Sequence, residues 1–98
     1  MSNYKLSNVA KEDLIEIHKF GVMRFGQNQA DKYFNEFFDF FEKISNSPFS
    51  FEAVNHIRKG YRKCPCGSET IYYRIAEDAV EIISIIGRQD INNNLSEK

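Results

Sequence analysis

A chain of 98 residues, 42% hydrophobic and 28% charged, has room for one domain with one modest core. Its net charge of −1 excludes a global electrostatic pull toward nucleic acid. The opening residues MSNYKLSNVAKEDL hold no long apolar run, so neither a signal peptide nor a membrane span is expected. The expected location is the cytoplasm, where thiols stay reduced.

In chain order, Tyr4 and Leu6 alternate with Lys5 in a short candidate strand. Ser7 reads as an N-cap, with Glu12 and Asp13 in the early turns that follow. Ala10, Leu14, Ile17, Gly21 and Phe25 recur at helical spacing, and Gly26 suits a helix C-terminus. A first helix is therefore expected from about Asn8 to Phe25. Asn28 and Asp31 suggest the cap of a second helix, whose broad apolar arc includes Ala30, Tyr33, Phe34, Phe37, Phe38, Phe41 and Ile44. That helix should end at Ser45-Asn46-Ser47-Pro48. So short a connection implies an antiparallel helical hairpin.

The period then changes. HIRKGYRK, TIYYRI and VEIISII read as three strands. Ala76-Glu77-Asp78-Ala79 suits a tight antiparallel turn, and the nearly all-apolar Val80–Ile86 suggests burial on both faces. The tail NNNLSEK is polar and expected to fray. One domain over residues 1–91 and a tail over 92–98 follow. The layout is β-α-α-β-β-β, an α+β class with a helical hairpin on one face of a small, mostly antiparallel sheet.

Cys64 and Cys66 are spaced C-x-C. A structural zinc site takes four ligands, commonly as two C-x₂₋₄-C-type pairs. His18 and His56 would have to complete one here, and His18 lies far along the chain; no metal is expected. A Cys64–Cys66 disulfide is disfavoured by strand geometry and by a reducing compartment. The simpler expectation is a hairpin tip shaped by Pro65 and Gly67, with the cysteines as small residues within it.

From Ala53 to Gly67 the chain carries Arg58, Lys59, Arg62 and Lys63 and no acid. Most such runs are solvated faces. In TIYYRI, however, alternation sends Ile71, Tyr73 and Ile75 toward the helices and Thr70, Tyr72 and Arg74 outward. Arginines of the preceding strand, with Arg88 at the edge, could join this outer face to meet phosphate or a carboxylate-rich peptide. No nucleophile–base order, phosphate loop or metal constellation points to catalysis. Glu12, Asp13 and Glu16 read as a solvated helix face, and the phenylalanine run of the second helix as core rather than a cofactor site. Its aromatics nonetheless look too many for one helix-on-sheet interface, so part of the run is expected to face a partner.

Leu6-Ser7, Ala10, Asp13-Leu14, Ile17, Phe25-Gly26, Gln29-Ala30, Tyr33, Pro48, Gly60-Tyr61-Arg62, Gly67-Ser68, Tyr73-Arg74, Arg88 and Asp90, in that order and spacing, resemble ParE toxins of the RelE/ParE superfamily, over about Tyr4 to Ile91. The resemblance implies the same fold. It implies the toxin half of a type II toxin–antitoxin pair, held by a ParD-like antitoxin with a ribbon-helix-helix part and a flexible C-terminal segment. ParE relatives poison DNA gyrase; RelE relatives cleave mRNA on the ribosome. Where many relatives carry Gly-Ser-His, this chain has Gly67-Ser68-Glu69, and where many end the last strand in Leu-His, it has Ile86-Gly87. Both departures remove a histidine, which counts against general acid–base cleavage. The expectation is therefore a non-enzymatic, cofactor-free gyrase inhibitor. Its target surface is expected at Arg58, Arg62, Tyr72, Arg74 and Arg88, and its antitoxin surface at Leu14, Ile17, Phe34, Phe37, Phe38 and Phe41. The alternatives are an mRNA interferase using His56 with Arg58, Arg62 and Arg74, or a degenerate toxin that only binds its antitoxin.

Overall fold

A computed structural model describes residues 3–87. The elements are β1 (Tyr4–Leu6), α1 (Asn8–Phe25), α2 (Gln27–Asn46), a 3-10 turn (Pro48–Ser50), β2 (Glu52–Ala53), β3 (Tyr61–Cys66), β4 (Glu69–Ile75) and β5 (Val80–Gly87). The sheet has five strands in the order β1-β5-β4-β3-β2. β1 runs parallel to β5 and the other pairs are antiparallel. The expected α+β architecture is present, with β2 as an additional strand. Arg88, Asp90 and the tail lie outside the described residues.

Ser7 caps α1 as its sequence suggests, its hydroxyl accepting from the Ala10 N–H at 3.0 Å. Its backbone N–H donates to Ile82 O and its hydroxyl to Ile83 O at 2.6 Å. The last two bonds matter because β1 ends at Leu6 opposite Ile82, leaving the rest of β5 unpaired on that side. α1 continues where β1 stops: Asp13 accepts from the Ile85 N–H at 2.9 Å. Asp13 is thus a sheet-edge acceptor rather than part of a solvated face.

Gly26 alone joins the helices, at φ 92° and ψ 164°. With a one-residue joint, α2 starts at Gln27 and Gly26 takes the N-cap position that Asn28 was expected to fill. Asp31 instead serves the hairpin: its Oδ1 accepts from Gln27 Nε2 at 2.9 Å and lies 2.7 Å from His18 Nε2. The helices approach closely at Gly21, where a Cβ would sit 3.2 Å from that of Ala30.

The core lies between this hairpin and the inner face of the sheet. It joins Ala10 and Leu14 of α1 and Phe37, Phe41 and Ile44 of α2 to Cys64, Cys66, Ile71, Tyr73, Val80, Ile82 and Ile85. In β5 the expected burial on both faces does not hold. Tyr72 pairs with Ser84 and Tyr73 with Ile82, which leaves Ile83 as the extra residue of a bulge. The bulge resets the alternation, so Val80, Ile82 and Ile85 face the core while Ile83 and Ile86 are only partly covered.

The cysteines also differ from expectation. Both lie in β3 on its inner face and are fully buried. The tip is Gly67-Ser68, outside the strands. Gly67 has φ 62°, and a Cβ there would fall 2.5 Å from the Tyr33 hydroxyl oxygen. The hydroxyl of Tyr33 on α2 has one proton to give, within reach of both the Cys66 carbonyl (2.8 Å) and the Glu69 carboxylate, and it accepts from the Ser68 N–H at 3.2 Å. Tyr33 therefore clamps the β3–β4 tip onto the helices. β2 covers only Arg62 and Lys63 of β3. Val54 donates to the Tyr61 carbonyl at 2.8 Å, so by alternation Pro65 turns its backbone to the open edge. A proline there offers no N–H to an intruding strand.

Candidate functional site

The basic residues of the second half divide between the two faces of the sheet. Tyr61 and Lys63 stand opposite Arg74 and Tyr72, whereas Arg62 stands opposite core residue Tyr73. Because side chains alternate with period two, Arg62 lies on the helix side and not with Arg74 on the outer face. The strand itself is shorter than the HIRKGYRK segment suggested. His56 to Gly60 form the β2–β3 loop, and Arg58 belongs to it.

On the outer face each strand cation has a carboxylate neighbour. Arg74 Nε donates to Glu81 Oε1 at 2.6 Å, and Lys63 Nζ lies 3.8 Å from Glu52. Tyr72, on the central strand between Lys63 and Ser84, is only 8% exposed, and burial raises the pKa of its phenol. Arg74 is thus exposed as expected but paired with a carboxylate, whereas Tyr72 is a sunken ring rather than the exposed one expected. Arg88 lies outside the described residues.

Arg58, Lys59 and Arg62 lie instead at the β2–β3 end of the sheet, Arg62 on the helix side and Arg58 over Tyr61 of the outer face. Among the described residues no carboxylate lies within ion-pair distance of any of them. Arg62 Nη1 donates to the Phe51 carbonyl at 2.7 Å while its guanidinium sits 5.1 Å from the Phe49 ring centroid. Arg58 lies 5.8 Å from the Tyr61 ring. The loop is ordered by its own backbone: Ile57 and Arg58 N–H groups donate to Val54 O, and Gly60 N–H donates to Asn55 Oδ1 at 2.8 Å. The adjoining 3-10 turn is held by Tyr73, whose hydroxyl donates to Pro48 O at 2.6 Å. Sequence reading put Arg58 and Arg62 in the target surface but not Phe49 and Ile57, which are 72% and 57% exposed. Two isolated apolar residues carry no periodic signal.

The residues expected to meet an antitoxin divide as well. Leu14, Phe37 and Phe41 are buried in the chain's own core, because both helices pack on the inner face of the sheet, and they offer no surface to a partner. Ile17, Phe34 and Phe38 are half-buried against that core. Phe34 packs edge-on to His18 and leans on Phe38, with ring centroids 5.2 and 5.3 Å apart. The exposed large apolar residues of the hairpin, among the described residues, are on α1: Val9, Ile15, Phe20, Met23 and Phe25. Arg24 places its guanidinium 5.4 Å from the Phe20 ring and 6.0 Å from that of Phe25.

The two histidines are far apart in role. His18 bridges the helices to Asp31, and His56 is exposed in the β2–β3 loop. At the β3–β4 tip, Glu69 accepts from Tyr33. Burial pushes the thiol of Cys64 up to about 11, and burial with nearby negative groups pushes that of Cys66 up to about 12. Neither is a nucleophile near neutral pH. Among the described residues no cluster of three or more His, Cys, Asp or Glu side chains could hold a metal ion. Among the described residues no helix is long and apolar enough to cross a membrane.

Residues 4–92 match the family model described as ParE toxin of type II toxin–antitoxin system, parDE. The chain belongs to the ParE toxin family. Toxin ParE1 of Mycobacterium tuberculosis strain H37Rv is 33% identical over 96 residues, covering 96% of this chain and 98% of that protein. Toxin ParE1 of Caulobacter vibrioides is 36% identical over 86 residues, 88% of each chain. Among solved structures, a chain of the chromosomal ParDE system of P. aeruginosa superposes with a TM-score of 0.78 at 17% identity, covering 89% of this chain and 96% of that one. A conserved hypothetical protein of Helicobacter pylori superposes at 0.58, also with 17% identity, over 93% of this chain and 99% of its own. At these identities the structural matches show a shared fold. ParE membership and that fold together place this toxin in the superfamily its sequence resembles.

Proposed function

We propose that this toxin arrests growth by binding and inhibiting DNA gyrase in the cytoplasm, without catalysis, and that a ParD-like antitoxin neutralises it. Membership of the ParE family carries this reading. The placement of the histidines supports it. Ribonucleolytic cleavage needs a proton donor and acceptor near one phosphate, whereas His18 is tied to Asp31 between the helices and His56 projects from a loop remote from Glu69. The exposed apolar residues of α1, among them Phe20 and Met23, are the surface available to the antitoxin. The unpaired cations of the β2–β3 end are the surface available to the target.

Induction of the toxin in cells, alone or with a ParD-like antitoxin, tests the proposal. DNA synthesis should halt while bulk mRNA stays intact, and co-expression should restore growth. Ribosome-dependent mRNA cleavage that disappears in His56→Ala would instead establish the interferase.

A further inference from the structure

We infer that the β2–β3 end docks an acidic polypeptide segment of the target, one that crosses this end of the sheet and brings apolar side chains to Phe49 on the helix side and to Ile57 on the loop, and carboxylates to Arg58, Lys59 and Arg62. This rests on the proposal that the toxin acts by binding, and it names the chemistry of what is bound.

The site is built rather than accidental. Phe49 is 72% exposed, yet the turn that presents it is held by Tyr73 at Pro48 O and by Arg62 at Phe51 O. Both anchors come from the sheet, and Tyr73 is a core residue. An exposed phenylalanine is therefore offered on a fixed support, with a guanidinium already stacked on it. Ile57 repeats the arrangement on the loop, exposed beside Arg58, which lies over Tyr61. Stacking fixes the direction of each cation and reduces the side-chain entropy lost when a carboxylate arrives.

Charge selects the occupant. Among the described residues Arg58, Lys59 and Arg62 have no carboxylate within ion-pair distance, in contrast to Arg74 and Lys63 of the outer face, which each have one. An unpaired cation cluster with apolar anchors complements an acidic segment bearing an apolar side chain. A nucleic acid strand fits less well. Single-strand binding relies on a basic groove with successive aromatic platforms. Here one of the two exposed apolar groups is the aliphatic Ile57, which is no platform for a base. The net charge of −1 supplies no long-range attraction to a polyanion.

The test uses the full chain with Ile57→Ser, Arg58→Glu and Lys59→Glu, all at exposed loop positions. Each variant is assayed for growth arrest, inhibition of purified gyrase, antitoxin binding, and anisotropy with a labelled single-stranded oligonucleotide. Arg58→Glu should reduce inhibitory potency by about tenfold or more, the loss expected when a charge-assisted contact becomes a repulsion. Antitoxin affinity should stay within about twofold, because the apolar surface of α1 is elsewhere. Variants that arrest growth like the wild type would overturn the inference while leaving gyrase inhibition standing. Variants that lose antitoxin binding instead would assign the site to the antitoxin. Loss of arrest that tracks loss of oligonucleotide binding would assign it to nucleic acid. If wild type leaves gyrase untouched but arrest still depends on Arg58 and Ile57, the gyrase reading fails and the acidic-segment inference holds.

Discussion

Replacing Gly67 with alanine tests the clamp between α2 and the β3–β4 tip. Two independent effects add at this position. The φ of 62° places an L-residue in the left-handed region, which costs about 1–2 kcal/mol. The new Cβ would also meet the Tyr33 hydroxyl oxygen at 2.5 Å, with Cε1 at 2.7 Å and Cζ at 2.9 Å. The ring must therefore swing away and give up its bonds to Glu69, Cys66 and Ser68. Losing a hydrogen bond to a charged group is worth about 1.5–3 kcal/mol. Gly67→Ala should thus destabilise the fold by about 2.5–5 kcal/mol in urea unfolding. In a Tyr33→Leu background, which lacks the atoms the Cβ would strike, the same substitution should cost only the backbone share of about 1–2 kcal/mol. Equal costs in the two backgrounds would show that Tyr33 does not hold the tip.

Asp13→Ala should cost about 1–3 kcal/mol in urea unfolding by leaving the Ile85 N–H without its acceptor; a neutral result would refute its role as a sheet-edge acceptor. Phe20→Ser combined with Met23→Ser, on the exposed side of α1, should change stability by less than about 0.5 kcal/mol per site while weakening antitoxin binding in calorimetry about tenfold or more. Unchanged affinity would move the antitoxin off that face. Cys64 and Cys66 have folded-state pKa values raised by burial from 9.0 to about 11 and about 12. The folded chain therefore keeps these protons where the unfolded chain loses them. Stability should be unaffected by these thiols below pH 9 and should fall as pH rises from about 9 toward 12. At pH 8 a thiol reagent should label neither cysteine until urea is added.

The helical hairpin was legible because α1 and α2 have punctuated ends: Ser7 at one, Gly26 at the joint and Ser47-Pro48 at the last. The face assignment of β4 was legible too, since strict alternation puts Ile71 and Tyr73 in the core. What failed depended on register or on distant partners. The bulge at Ile83 follows from how β4 meets β5, and local composition does not encode it. Arg62 looked like a companion of Arg74, but a strand beginning at Tyr61 puts them on opposite faces. Phe37 and Phe41 look surplus in the sequence, but the inner face of the sheet extends over Cys64 and Cys66 and packs against both rings. Glu69 read as a lost histidine, and only its bond to Tyr33 gives it a structural role.

Supercoiling by purified DNA gyrase, titrated with this toxin in the presence and absence of its antitoxin, most directly tests whether the chain acts by binding. The account predicts inhibition by the toxin alone and recovery once antitoxin reaches stoichiometric amounts, with His56→Ala as potent as wild type. Gyrase that supercoils normally at every toxin concentration, while translating ribosomes lose their mRNA in a His56-dependent manner, would contradict it.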